Sequence, residues 1–344
     1  MQPVVAFSGE IPPLQAQDHP GVMLQSVLHE ELQTLNTVLI QKLASRVGQV
    51  EDIGRYLALA GGKRVRPLMT LAFAKLLGGD MSRAIGLGAC VELIHTATLL
   101  HDDVVDQADM RRGKKAARVL WGNAASVLTG DFLFSRAFEL MVDDGQLDIL
   151  KLLSRASSTI AEGEVQQLCL LNDLNVTLEA ALEVISAKTA SLFAAATEVG
   201  ALLSDVSPEI RQHTIDFGVY FGIAFQLTDD LMDYDPESTA GKEQGNDFME
   251  GKVTVPVILA LEKASPEQHA FWTTAFALDT SADQKETLFK TAQNIVYETK
   301  SVEQCRLMVQ SYIEKAMHAL QPLPDHPIRD ILAGMCTHLL GRAS

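Results

Sequence analysis

The sequence predicts an all-α fold, and three observations carry that prediction. Apolar residues recur at helical spacing from residue 22 almost to the C-terminus, alternating strand patterns are scarce, and no short repeat of the kind that builds a solenoid is present. A chain of 344 residues that is 47% hydrophobic and 21% charged can bury a large core. No Pro/Gly/Ser-rich linker or abrupt change of composition divides it, so residues 21–344 read as one domain and residues 1–20 as a flexible tail.

That tail, MQPVVAFSGEIPPLQAQDHP, holds neither Lys nor Arg and no sustained apolar core, so it is expected to be neither a secretory signal nor a transit peptide. Helical stretches are expected at 22–46, 51–60, 65–77, 82–106, 124–142, 146–171, 178–203, 208–233, 254–263 and 281–298. The pattern is clearest from Ser301: Ser301 and Gln304 fit a capping box, and Val309, Tyr312, Ile313, Ala316, Met317 and Leu320 form a stripe that Pro322 stops. No run approaches the roughly 18 consecutive apolar residues of a bilayer span, so no transmembrane segment is expected.

The net charge of −16 argues against nucleic acid or an anionic membrane surface as the main partner, because both need a basic face. A polyanionic substrate must then be met by local basic groups or by metal ions. Cys90, Cys169, Cys305 and Cys336 lie far apart without CxxC spacing, which argues against a zinc site or a disulfide framework and fits a reducing cytoplasm.

Two stretches depart from this pattern. In LLHDDVVDQADMRRG, Leu99 to Gly113, Asp102 and Asp106 are four residues apart on one helix face with Asp103 beside them. Asp229, Asp230 and Asp233 repeat the arrangement, again at the C-terminal end of a predicted helix. That end carries the negative pole of the helix dipole, so added carboxylates are unfavourable there without a counter-ion. One such cluster reads more readily as a solvated acidic helix end; two, each after apolar helix, point to a metal site. Mg²⁺ suits it, because this ion takes one or two carboxylates and completes its octahedron with water and substrate phosphates, and neither EF-hand spacing nor a His/Cys ligand set is present. Basic islands support a phosphate: Arg111 and Arg112 after the first cluster, Lys63, Arg64 and Arg66 in GGKRVRP, and Lys242 and Lys252 around the loop after the second. For Arg64 a surface salt bridge is the default expectation.

GGKRVRP, HTATLLHDDVVDQADMRRG, GDFLFSRAF, AKTASLF and FQLTDDLMDYDPESTAGKEQGNDFMEGKVTVP, in this order over Gly61 to Pro256, resemble the trans-isoprenyl diphosphate synthases, or polyprenyl synthetases. The resemblance implies an isoprenoid-synthase helical bundle around a central cavity, a homodimer, and the substrates isopentenyl diphosphate and an allylic diphosphate. It implies that Asp102, Asp106, Asp229 and Asp233 hold Mg²⁺ on the allylic diphosphate, with Asp103 and Asp230 in support. Lys63, Arg66 and His95 match the isopentenyl diphosphate pocket; Arg111 falls where the family contacts the allylic diphosphate and Arg112 where it contacts isopentenyl diphosphate. Lys188, Thr189 and Gln226 match positions beside the allylic group, and Lys242 and Lys252 match loop lysines that close over the diphosphate, with Gly241, Gly245 and Gly251 as hinge candidates. The residues themselves allow blander readings. His95, two turns before Asp102, would pass as a core histidine, and Thr189 and Gln226 as ordinary helix polar groups. Lys188 lies in an apolar stretch where a bare charge is costly, so it calls for a bound anion or a neighbouring carboxylate.

Product length turns on the helix before Asp102. Ala97 and Thr98 are small where short-chain relatives carry a bulky residue, and Ile94 lies about 12 Å up the helix at 1.5 Å per residue; close helix packing explains small residues there equally well. VELIHTATLLHDDVVD and WGNAASVLTGDFLFSRAFELMV look most like bacterial octaprenyl to decaprenyl diphosphate synthases that make quinone side chains. The alternatives are a geranylgeranyl-type short-chain synthase, a non-catalytic prenyl synthase subunit, against which both intact clusters speak, and a terpene cyclase, which needs no second diphosphate pocket.

Overall fold

The structure is a computed structural model that describes residues 19–58, 62–235, 244–277 and 280–343. Seventeen α-helices are found among them: α1 (Pro20–Val27), α2 (His29–Leu43), α3 (Gly48–Ala58), α4 (Val65–Leu76), α5 (Met81–Val105), α6 (Ala117–Trp121), α7 (Asn123–Asp144), α8 (Leu147–Cys169), α9 (Leu178–Ile185), α10 (Ser191–Leu202), α11 (Pro208–Tyr234), α12 (Asn246–Glu250), α13 (Val255–Leu261), α14 (Pro266–Ala275), α15 (Ala282–Glu298), α16 (Ser301–Leu320) and α17 (Pro327–Ala343). A two-stranded hairpin, β1 (Met110–Arg111) and β2 (Lys114–Lys115), separates α5 from α6.

Four helices form the centre. On α4 and α10 nearly every side chain is buried, as expected of helices apolar all round; α5 and α11 pack beside them, α7 covers α5, α16 covers α11 and α8 lies against α10. Close approach of α11 to α10 depends on small residues. A Cβ on Gly218 would stand 2.5 Å from the Ala194 Cα, and one on Gly222 2.6 Å from the Ala190 Cα. Helix α5 is long and apolar enough by composition to cross a bilayer, but 67% of its most apolar window is buried inside the bundle, the placement of a core helix.

Several boundaries differ from expectation. The stretch at 22–46 is two helices, because Leu28 leaves helical geometry (φ −109°, ψ 23°) while staying buried in the core. The first described helix starts at Pro20, itself buried, the last residue of the stretch read as a tail. The stretch at 178–203 is interrupted by a π-helical turn over Ser186–Ala190. No capping box forms at Ser301: Lys300 takes a left-handed turn (φ 57°) between α15 and α16, and the Ser301 hydroxyl pairs with Thr299 Oγ1 at 2.8 Å. Capping boxes occur instead at Ser265/Gln268 and Ser281/Gln284.

Candidate active site

Both aspartate clusters stand at helix ends. α5 closes on Asp106 as its C-cap, with Asp102 and Asp103 in its last turn, and α11 carries Asp229, Asp230 and Asp233 just before its end at Tyr234. Lys252 lies between them: its Nζ is 3.0 Å from Asp106 Oδ2 and 2.5 Å from Glu250 Oε2, and Asp230 and Asp247 lie within its electrostatic reach. Burial alone would lower the Lys252 pKa, but Glu250, Asp106 and Asp247 outweigh it and raise it. Asp233 accepts from the Asn246 and Asp247 amides at 3.1 and 3.0 Å, which ties the second cluster to the start of α12. Among the described residues no three acidic, His or Cys side chains converge closely enough to hold a metal ion by themselves.

Burial dominates the carboxyls. It pushes Asp102 up to about 7, opposed by Lys188 and reinforced by Glu164 and Asp106. Asp230 is likewise pushed up to about 7 by burial, opposed by its hydrogen bond from Gln226 and reinforced by Asp229 and Asp233. Fully buried Asp103 is pushed up by burial against the pull of Arg111, whose Nε donates to Asp103 Oδ1 at 2.7 Å.

The π turn of 186–190 delivers the next three residues. Gly163 of α8 lets it approach, since a Cβ there would lie 2.8 Å from the Ala187 Cβ and 3.0 Å from the Lys188 nitrogen; such turns recur at functional sites. Lys188 Nζ donates to Glu164 Oε2 at 2.7 Å and Gln167 Oε1 at 2.8 Å, which meets the sequence's demand for a carboxylate. Thr189 Oγ1 donates to Gln226 Oε1 at 2.8 Å, and Gln226 Nε2 donates to Asp230 Oδ1 at 2.8 Å, so the two residues read as ordinary polar groups form a relay to the second cluster. Gln167, Lys188, Thr189, Gln226 and Asp230, with Asp247 and Lys252, line the polar side of a cavity of about 110 Å³; Leu170, Val176, Val184 and Ile185 line its apolar side.

A second, basic group lies along α4 and α5. The hairpin turn holds Arg112 and Gly113 both at positive φ (53° and 72°), the geometry a two-residue loop between twisted strands requires. It sends adjacent arginines apart: Arg111 to Asp103, and Arg112 to Gly62, where a Cβ would lie 2.8 Å from its Nη1. Arg66 stacks over Phe193 at 4.5 Å, with Nη1 3.3 Å from His95 Nε2. A guanidinium only donates, so that nitrogen accepts and His95 is neutral with its proton on Nδ1; burial first, then Arg66, Arg112, Arg111 and Arg64, hold His95 well below its ordinary pKa. Burial also lowers Arg66 to about 10, and its Nε is buried without a partner. Arg64 departs from expectation: it forms a hydrogen-bonded salt bridge with the 4%-exposed Glu92, an interior pair rather than a surface one. Lys63 stands at the open edge, close enough to Arg342 for mutual repulsion.

Lys242 and Gly241 lie outside the described residues. Gly245 and Gly251 cap α12 at φ 84° and 77°. Ala97 and Ile94 are fully buried and share a face with Cys90 and His101, which contact α7 at the Ala137 and Val127 carbonyls; half-buried Thr98 donates its hydroxyl to the His95 carbonyl. Sequence reasoning missed Glu92, Glu164, Gln167, Asp247 and Arg342. Only the demand of Lys188 for a carboxylate gave any hint of them.

A helical bundle that sets two aspartate clusters against each other beside a separate arginine pocket is the arrangement of the polyprenyl synthetases, and the chain belongs to that family, whose model matches residues 47–295. It is 41% identical over 307 residues to the octaprenyl diphosphate synthase of Escherichia coli K12, covering 89% of this chain and 94% of that one. The crystal structure of a decaprenyl diphosphate synthase from Rhodobacter capsulatus is similar at a TM-score of 0.88 and 40% identity, over 94% of this chain and 100% of that one. A polyprenyl synthase from Caulobacter crescentus CB15, solved with calcium and isoprenyl diphosphate, gives 0.88 and 40% over 96% and 100%.

Proposed function

We propose that the protein condenses isopentenyl diphosphate with an allylic diphosphate, head to tail and in trans, and extends the product to octaprenyl to decaprenyl length for quinone side chains. The observation that carries this reading is the pair of distinct charged sites: carboxylates facing one another across Lys252, and a neighbouring pocket of Arg66, Arg112 and His95. One site suits a metal-bound diphosphate and the other a diphosphate held by cations alone, so two diphosphates lie side by side.

The donor set fits Mg²⁺: both clusters offer only carboxylate oxygens, and too few converge to hold an ion without substrate phosphates, as this ion prefers. Asp102, Asp106, Asp229 and Asp233 would hold it, with Asp103 and Asp230 in support; bound Mg²⁺ supplies charge stabilisation for the departing diphosphate. Arg111, Lys252 and Lys242 would add positive charge at the allylic diphosphate. Lys63, Arg66, Arg112 and neutral His95 would orient isopentenyl diphosphate so that its double bond meets the allylic carbon. The Thr189 and Gln226 dipoles line the cavity where positive charge develops, Lys188 beside them is paired with Glu164, and the apolar wall of Val176, Val184 and Ile185 keeps water from that cation. The released diphosphate is a candidate base for the last proton.

The growing chain would leave along α5, with Ala97, Thr98 and Ile94 setting its length. A homodimer is supported by the outer face of α7, where Leu128 and Val142 are each 64% exposed and Phe138 42% exposed. The four scattered cysteines, suited to a reducing compartment, support a cytoplasmic location. Incubating the purified protein with Mg²⁺, farnesyl diphosphate and excess isopentenyl diphosphate should give products of eight to ten isoprene units, with D102A slowed by about 10²- to 10³-fold. Arrest at four units would favour the geranylgeranyl-type reading, and no consumption of isopentenyl diphosphate would overturn the proposal.

A further inference from the structure

Helices α15 to α17 lie beyond the motifs that carry the chemistry, yet three of their side chains converge on the end of α11. Asp235, the C-cap of α11 and two residues past Asp233, accepts from Tyr297 Oη of α15 at 2.7 Å and is paired with Arg306 Nη2 of α16 at 3.5 Å. Buried Gln293 of α15 donates to the Tyr234 carbonyl at 3.3 Å, so the backbone beside Asp235 is held as well.

Arg306 also reaches the other way. Its Nε donates to the Ala343 carbonyl at 2.6 Å, one of the last carbonyls of α17, which have no partner within the helix. The residue before it, Arg342, reaches back to α11 and to Lys63: its Nη2 is 3.3 Å from the Met232 sulfur, and it stands close enough to Lys63 to repel it. A thioether is a weak acceptor for a guanidinium. Two mutually repelling cations, one of them answered by so weak an acceptor, are poised for an anion, and Lys63 is already assigned to the isopentenyl diphosphate pocket.

We propose that Arg306 is a positioning residue that couples the two ends of the site, fixing Asp235 behind the second aspartate cluster with one arm and, through the Ala343 carbonyl, holding Arg342 beside Lys63 with the other. The proposal rests on the reading of the Lys63 pocket as the place of the isopentenyl diphosphate. Arg306 touches no reacting atom. It acts through Arg342, so its loss falls on the KM for isopentenyl diphosphate more than on kcat.

The test is a double-mutant cycle of R306M and R342M in the full-length enzyme with Mg²⁺ and farnesyl diphosphate, each variant checked for an unchanged circular dichroism spectrum. Each single change should raise the KM for isopentenyl diphosphate about tenfold, the loss of one hydrogen bond to a charged group, with kcat changed less than about threefold. The double variant should rise no further, because the second change removes a group already displaced. R306K, which keeps the charge but not the fork that spans both partners, should fall between R306M and the unaltered enzyme. D235N should raise the same KM, since the second anchor of Arg306 would lose its charge and hold it more weakly. An additive rise of about a hundredfold in the double variant, or no change in this KM for R306M or D235N, would overturn the coupling. Failure of the unaltered enzyme to consume isopentenyl diphosphate would instead overturn the functional reading beneath it.

Discussion

Asp102 and Asp230 show how strongly burial acts on single side chains here. Both are pushed up to about 7, against about 3.9 for an exposed aspartate, so the metal-free fold binds protons that the unfolded chain releases. Their contribution to stability is therefore complete below about pH 4 and lost as pH rises through about 7. Mg²⁺ binds the ionised carboxylates, so its stabilisation should grow over the same range. His95 runs the other way: its lowered pKa means its contribution is present above about 6.5 and lost as pH falls. His95 titrates with and without the metal, so it drops out of the difference. The gap in Tm between Mg²⁺-loaded and metal-free protein, measured calorimetrically, should widen from pH 5.5 to pH 8 and widen less in D102N; an equal gap at both pH values would contradict this. At this scale the charged residues were readable because aspartates and arginines are conspicuous in an apolar helical context. Their partners were not. Glu164 and Glu92 look like any other helix glutamates until folding brings them to Lys188 and Arg64.

The elements that place the site depend on close approach. Gly218 and Gly222 let α11 lie directly on Ala194 and Ala190, and the hydrogen bond from Thr189 to Gln226 crosses the same seam. G222A should force the helices apart at a cost of about 1–3 kcal/mol, seen as a lower midpoint in urea unfolding, and should slow turnover because Thr189 and Gln226 separate. Loss of stability with turnover intact would show that the relay tolerates the shift. The π turn could not have been foreseen, because 178–203 has continuous helical periodicity; the extra residue is accommodated where Gly163 of α8 leaves room. The missing capping box at Ser301 has a similar origin. Ser301 and Gln304 carry the right spacing, but the direct junction of α15 and α16 through Lys300 gives Ser301 another partner.

For the whole molecule, the proposed dimer face and the proposed chain-length residues both adjoin α7. Leu128 projects outward, so L128E should convert a dimer into a monomer in analytical ultracentrifugation; an unchanged mass would move the interface elsewhere. Ala97 lies on the α5 face turned toward α7, fully buried, and A97F should shorten the product by filling that seam. Products of unaltered length would assign Ala97 to helix packing alone.

The all-α class, the aspartate clusters, the basic islands and most helix limits follow from the amino-acid order, because periodicity, caps and charge are local properties that a few neighbouring residues express. The opposition of the two clusters across Lys252, the split of Arg111 from Arg112, the partners of Lys188 and Arg64, and the reach of Arg306 from Asp235 to the C-terminus belong to the folded state. Each joins side chains that packing of the central helices brings together, and no local pattern records which buried charge will meet which.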